Sequence, residues 1–356
     1  MIYLKHKALI RFTYLLVLCA LLNACKYDDL SVAKPNENFR LAGDFLKNNY
    51  DFSLFYAALD YTGLISKLNE SGPFTVLAPN NEAFNEIGIQ LPEDIRKLNR
   101  DSLRQAMSYH IIPRRLLQAD LPVNGVDVSY ETLANISLYA SFATFAPGNS
   151  AYPANQLYFS GCLASRKDVM LANGVLHMLD KVMKQYPGKT VQDWLAARSD
   201  FSIYVSGLKK FGLWNDLAGH GPFTIFAPDN KAFNDAGITQ ADIDQLDPSK
   251  YVGQRLFGAY ILYNKNYFIS DKTVFEIINS ESIYTSMVKD DNSTFSMNMG
   301  DGYYILTLVS VKGTNDWYYQ VFGNKDNVVK TDNLCENGIV HTIPGVLMKP
   351  ENALKN

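Results

Sequence analysis

Cysteine is scarce in this chain, and none of it is paired in sequence. Four cysteines occur among 356 residues: Cys19, Cys25, Cys162 and Cys335. No Cys-x-x-Cys, His-Glu-x-x-His, phosphate loop or Gly-x-Ser-x-Gly is present, which removes the common short signatures of zinc sites, nucleotide sites and serine hydrolases. Basic excess is also lacking: 33 Lys and Arg stand against 36 Asp and Glu. A mildly acidic chain without a basic stripe argues against a nucleic-acid partner. No apolar run is long enough to span a bilayer; the longest, Phe12 to Leu22, is about half of what a spanning helix needs.

That run has a different reading. Lys5, Lys7 and Arg11 make a positive start with no acidic residue, and the run ends in Leu22-Asn23-Ala24-Cys25. This is the pattern of a secretory signal over residues 1–24. Leu-x-Ala-Cys resembles a bacterial lipobox, which implies cleavage before Cys25 and acylation of that residue. Several acyl chains hold a protein firmly on a membrane where one does not. The mature chain then carries 30 basic and 36 acidic residues, a net charge of −6. Lys26-Tyr27-Asp28-Asp29 resembles the surface-export signal of some Gram-negative lipoproteins, so the outer face of the outer membrane is the expected location. Residues 25–40 read as the lipidated Cys and a flexible tether.

The mature chain is organised around one stretch that occurs twice. Gly72-Pro-Phe-Thr-Val-Leu-Ala-Pro-Asn-Asn-Glu-Ala-Phe84 recurs as Gly221-Pro-Phe-Thr-Ile-Phe-Ala-Pro-Asp-Asn-Lys-Ala-Phe233, a constant offset of 149 residues. That is the size of a domain rather than of a solenoid unit. Phe74 and Val76 (Phe223 and Ile225 in the second copy) alternate with their neighbours along a strand. Pro79 and Pro228 end the strand. Asn80 and Asp229 suit a helix N-cap. Asn81 and Asn230 follow, and Phe84 and Phe233 lie one turn into the helix, where they can pack back on the strand.

A second pair of stretches confirms the duplication. Asn173-Gly174-Val-Leu-His177-Met-Leu-Asp-Lys-Val182 recurs as Asn337-Gly338-Ile-Val-His341-Thr-Ile-Pro-Gly-Val346. Asn-Gly signals a turn through tolerance of positive φ, and the apolar run behind it a strand. The distance between the two stretches is 101 residues in the first copy and 116 in the second, which places about fifteen extra residues in the loops of the second.

Together these stretches resemble the two signature boxes of the fasciclin (FAS1) domain family. The resemblance covers nearly all of the mature chain. It implies an α+β fold: two tandem domains, residues 41–186 and 191–349, each a β-sandwich or wedge with packed helices, joined by Pro187-Gly188-Lys189-Thr190. So short a joint predicts domains that touch. The family's Asp before the second box matches Asp168 and, more loosely, Asp332. Its Tyr-His pair, a segment implicated in adhesion, matches Tyr109-His110. The second copy has Ala259-Tyr260 there, with no His, and Pro344 where the family usually has Asp.

Composition and patterning add the rest. Helical spacing opens each domain, from Phe45 to Leu68 and from Phe201 to Leu217, and the later part of each reads as β, from Val126 to Cys162 and from Val274 to Val329. Cys162 and Cys335 stand at non-equivalent positions; a bridge and two separate, partly buried thiols both fit, and separate thiols are the expectation. Asp290-Asp291-Asn292-Ser293 lacks the Gly and distant Glu of a calcium loop and reads as a solvated turn. No metal or cofactor is implied. Trp317, Tyr318 and Tyr319 are candidates for an aromatic contact patch, although strand alternation buries half of such rings.

The sequence thus points to a non-enzymatic cell-surface adhesion or binding lipoprotein with a protein or glycan ligand, with Tyr109, His110, Asp168 and the three aromatics as candidate contacts. Three alternatives stand beside it. One is a glycan-binding accessory of an outer-membrane transporter, and another is a spacer or envelope assembly component. The third is a hydrolase built from non-adjacent residues around His110, which requires that histidine to line a pocket.

Overall fold

The structure is a computed structural model, and it describes residues 39–144, 155–279, 283–299, 303–310, 318–324 and 330–355. The leader, Cys25, the tether to residue 38 and Trp317 lie outside the described residues.

Domain 1 opens with helices Ala42–Lys47, Ser53–Tyr61 and Ile65–Leu68. Strand β1 (Phe74–Pro79) leads through a corner into helix Asn81–Glu86, whose first turn is capped as expected: Asn80 Oδ1 accepts the Ala83 N–H at 2.9 Å. Helix Arg100–Tyr109 starts on the Asn99 side chain and runs into β2 (Ile111–Ile112). The β half comprises β3 (Gly125–Glu131), β4 (Ser137–Ala143), β5 (Gln156–Phe159), β6 (Cys162–Leu171) and β7 (Gly174–Leu179). The seven strands form one sheet in the order β2-β1-β7-β6-β5-β4-β3. The ten-residue β6 shifts register twice against β7, which bends the sheet into a wedge.

β1 lies second from one edge of the sheet, paired antiparallel with β2 and parallel with β7, and all six of its residues are buried. The alternation read from sequence holds. Phe74, Val76 and Ala78 pack in the helix-side core with Phe55 and Phe84, while Leu77 packs on the other face with Tyr109 and Phe159. Burying rings of this size contributes about 1.5–3 kcal/mol each relative to exposure.

The joint is itself part of a sheet. β8 (Gln185–Tyr186) pairs parallel with β15 (Asn333–Cys335) of domain 2. Thr190 caps the next helix, Val191–Ala196, reciprocally with Asp193. Domain 2 continues with helix Ser202–Lys210, β9 (Phe223–Pro228), helices Asn230–Asp235, Gln240–Gln245 and Gly253–Leu256, and β10 (Ile261–Tyr263). Helix Asp271–Asn279 precedes β11 (Ile283–Met287), β12 (Ser293–Met299), β13 (Tyr303–Ser310) and β14 (Tyr318–Asn324); β16 (Gly338–Ile343) follows β15. The described strands form two sheets, β10-β9-β16-β15-β8 and β11-β12-β13-β14.

Three expectations need correction. The β half of domain 2 does not begin at Val274, because residues 271–279 are helical. This helix is part of the extra length of the second copy, so the addition includes an ordered element and is not only loop. Asp291 is not a solvated turn residue: Arg255 donates to both its carboxylate oxygens at 3.0 and 3.2 Å, and Ser293 Oγ donates at 2.6 Å. It ties helix Gly253–Leu256 to the β11–β12 turn.

The two domains touch, as the short joint predicts. Phe268, Leu334 and Ile339 of domain 2 share a core with Leu138, Phe142, Phe159 and Cys162 of domain 1, and the Phe268 and Tyr139 rings meet at 6.0 Å. Cys162 and Cys335 are both free and both buried, Cys162 in this shared core. Burial pushes both thiols up, Cys335 to about 12, which leaves them unreactive in the folded chain.

Candidate functional site

The polar residues of the two boxes converge around the parallel strand pair β1–β7 in domain 1 and β9–β16 in domain 2. His177 stands in β7 beside β1 and is fully buried. Its Nδ1 accepts the Asp168 N–H at 3.4 Å, and its Nε2 lies 2.9 Å from the Leu116 carbonyl. A carbonyl only accepts, so Nε2 carries the proton and the ring is neutral. Asp168 has φ 57 and receives the Gln118 N–H on Oδ1 at 2.9 Å. Domain 2 repeats each bond. Asp332 (φ 56) donates its N–H to His341 Nδ1 at 3.0 Å, His341 Nε2 meets the Tyr267 carbonyl at 2.9 Å, and Asp332 Oδ1 accepts the Ile269 N–H at 2.9 Å. Each His–Asp pair therefore clamps a three-residue crossover segment, 116–118 or 267–269, against the β1–β7 or β9–β16 pair. Asp332 is a full counterpart of Asp168, although the residue after it does not match. Burial lowers both imidazoles below the ordinary value, which keeps them neutral.

Asn173 and Asn337 bracket the opposite end. Asn173 Oδ1 accepts the Ala42 N–H at 3.0 Å, while Nδ2 donates to the Leu68 and Glu70 carbonyls at 2.8 and 2.6 Å. Asn337 does the same with Val191 N–H, Leu217 and Gly219. Neither Asn adopts positive φ, nor does Gly174, and Gly338 at φ 158 is near extended. The Asn-Gly pair is thus not a left-handed turn. The Gly is required for close approach: a Cβ at Gly174 would lie 2.0 Å from the Phe74 carbonyl oxygen, and at Gly338 2.1 Å from that of Phe223. Asn81 and Asn230 are brackets of a second kind. Their Oδ1 atoms accept the Leu54 and Ile203 N–H at 3.0 Å, and their amides donate to the Tyr50 and Ser199 carbonyls.

Tyr109 and His110, read as candidate contacts, are each 0% exposed. Tyr109 Oη is bonded to Ser160 Oγ at 2.9 Å, and burial raises the phenol far above its ordinary range. His110 Nδ1 donates to the Ala106 carbonyl at 2.9 Å and Nε2 accepts the Met183 N–H at 3.1 Å; burial lowers it to about 4. Its ring neighbours are Phe55 and Tyr109. The pair presents no surface to a partner, and both ring nitrogens of His110 are bonded to backbone inside the core, so a hydrolase centred on it loses its base. Asp168 likewise has its carboxylate committed to the Gln118 N–H. Of the aromatic trio, Tyr319 is half-buried and packs on the domain 2 core, on the face of β14 away from solvent. Tyr318 pairs with Val309, and Trp317 lies outside the described residues. Phe322 of β14, which sequence reasoning did not single out, is a large apolar residue that reaches solvent, at 56% exposure.

Among the described residues no group of three or more His, Cys, Asp and Glu is arranged to hold a metal. A cleft of about 240 Å³ opens between the domains, lined by Tyr139, His220, Asn266, Glu336 and the start of β16.

The Fasciclin domain description matches residues 50–185 and 199–349. Human periostin is 24% identical over 294 residues, covering 83% of this chain and 30% of that protein. The transforming growth factor-beta-induced protein ig-h3 of Sus scrofa is 32% identical over 190 residues, covering 52% of this chain and 25% of that protein. The chain therefore spans less than a third of the length of these relatives. A solved FAS1 domain pair from the insect cell adhesion molecule fasciclin I is 21% identical, covers 86% of this chain and 99% of its own, and gives a TM-score of 0.38. With the family description matching two segments in tandem, this chain belongs to the fasciclin domain family.

Proposed function

We propose that this chain is a non-enzymatic adhesion or binding protein, displayed on the outer face of an outer membrane by acylation of Cys25, and that it engages a protein or glycan through its paired fasciclin domains. The observation that carries this reading is the fate of the motif side chains. The residues best suited to chemistry are already bonded to backbone: His110, His177, His341, Asp168 and Asp332 hold the fold. Recognition is then left to the outer surface of a scaffold.

The test is protease shaving of intact cells, comparing wild type with Cys25→Ala and with Asp28→Ala/Asp29→Ala, followed by aggregation of cells bearing each form. Cleavage of wild type, protection of the tether variant and aggregation with wild type alone are expected. Protection of wild type in intact cells would exclude adhesion between cells and put an envelope assembly role in its place.

A further inference from the structure

The helix added to domain 2 carries a carboxyl group into the seam with domain 1. Asp271 is the first residue of helix Asp271–Asn279, which packs on β4, and it is 1% exposed. Its Oδ2 accepts the Phe268 N–H at 2.7 Å, and its Oδ1 accepts the Ser141 hydroxyl across the seam at 3.2 Å. The same hydroxyl oxygen accepts the Asp127 N–H at 3.0 Å. Asp127 sits at the β3 bulge with φ 53. Its Oδ1 is sealed from solvent and meets no donor. A buried carboxylate oxygen without a donor is costly, and a second buried carboxylate on the same Ser141 hydroxyl raises that cost, because like charges close together in a dry site resist ionising together.

Asp332 adds a negative charge toward Asp271, and Lys184, the cation near Asp332, reaches across the seam to the Thr331 carbonyl. Tyr139 of β4 faces Asp127, and Tyr158 of β5 faces Asp271 and bonds to Thr273. On the helix itself Lys272 pairs with Glu276 at 2.6 Å. Of the strands packed on the helix, β12 carries no titratable residue. Burial raises both carboxyls above the ordinary range, Asp127 to about 7.

We propose that Asp127 and Asp271 form a proton-holding carboxyl pair that makes the seam between the two domains pH-sensitive, closed while the pair keeps a proton and loosened when both groups ionise. The sign follows from proton linkage. A carboxyl raised in the docked state binds more protons docked than undocked, so its support for docking is complete below the free Asp value of about 4 and is lost as pH rises through the docked value. Mild acid closes the seam and mild alkali opens it. The three buried histidines act in the opposite direction, on the acid side of about 6.5.

Cys162 reports on the seam, since it is buried in the shared core and shares a small cavity with Thr331 and Asp332. The experiment is alkylation of the full chain by iodoacetamide. The Cys162 peptide is quantified by mass spectrometry, and each rate is divided by that of the unfolded chain at the same pH. Wild-type protection is expected to fall roughly tenfold or more between pH 5 and pH 8, the effect of about one pK unit. Asp127→Asn, which cannot ionise, should hold its pH 5 protection at pH 8. Asp271→Asn should do the same, and far-ultraviolet circular dichroism verifies that each variant is folded. Flat protection in wild type, or variants that follow the wild-type profile, would overturn the proposal. So would recovery of pH 8 protection on adding calcium, because the pair would then hold a cation and not a proton.

Discussion

Tyr260 does in the second domain what His110 does in the first. His110 Nε2 accepts the backbone N–H of Met183 at 3.1 Å, and Tyr260 Oη accepts that of Leu347 at 2.7 Å. Met183 and Leu347 stand six residues beyond His177 and His341 respectively, so the two N–H groups are equivalent. The change from His to Tyr therefore preserves one acceptor at one place. Tyr260→Phe removes that acceptor and little else, leaving a buried N–H unpaired at a cost of about 1–3 kcal/mol. Hydrogen exchange at the Leu347 amide should accelerate accordingly, while the Met183 amide is unchanged. Equal protection in variant and wild type would show that the phenol oxygen is dispensable.

The three buried histidines should be distinguishable by tautomer. His110 donates from Nδ1, because its partner there is the Ala106 carbonyl, whereas His177 and His341 donate from Nε2. Nitrogen-15 correlation spectra at neutral pH should show this split. All three have lowered values, so their contribution to stability is present above about 6.5 and is lost as pH falls through the folded values. For His110, lowered to about 4, this amounts to about 3 kcal/mol of acid sensitivity. Protonated His110 in the native protein at pH 5 would contradict the assignment.

Much of this was readable from the residues, because the boxes are local. The β1 alternation, the caps on Asn80 and Asp229 and the tandem arrangement each depend on neighbours a few positions apart. The roles of Asn173 and Gly174 were not readable. Asn-Gly suits a turn, yet Asn173 binds Ala42, Leu68 and Glu70, all more than 100 residues away, and Gly174 is fixed by the backbone of Phe74. Tyr109 and His110 were drawn as contacts because their polar atoms invite partners; their partners are internal. The Asp127–Asp271 pair has no sequence signal at all, since its halves lie in different domains.

Asn173→Asp should be worse than its size suggests. The substitution keeps the acceptor for Ala42 N–H but turns a two-bond donor into an anion facing the Leu68 and Glu70 carbonyls. Losing two buried bonds and placing a charge there costs about 3–5 kcal/mol. Protonation restores one donor, so the variant should recover part of its stability near pH 4. Urea titration at pH 7 and pH 4 tests this, and a variant whose deficit does not shrink in acid would argue that shape, not charge, is what Asn173 supplies.

Phe268 separates the integrity of the seam from that of the domains. It belongs to domain 2 in sequence, yet it packs in the core built mainly from domain 1 and meets Tyr139. Truncation to Ala removes a ring from a dry site, a loss of about 3–5 kcal/mol when the cavity cannot collapse. The seam can respond by opening, because β1 and β9 each retain their own paired sheets, so the loss should fall on docking and leave both domain cores folded. Expected observations are a larger radius of gyration by small-angle scattering and faster cleavage near Lys189, with the far-ultraviolet circular dichroism unchanged. The joint should resist complete release, since β8 remains paired with β15 and the Glu336 N–H donates to the Lys189 carbonyl at 2.9 Å. Loss of circular dichroism together with scattering would mean that the two domains fold as one unit and that Phe268 belongs to a single shared core.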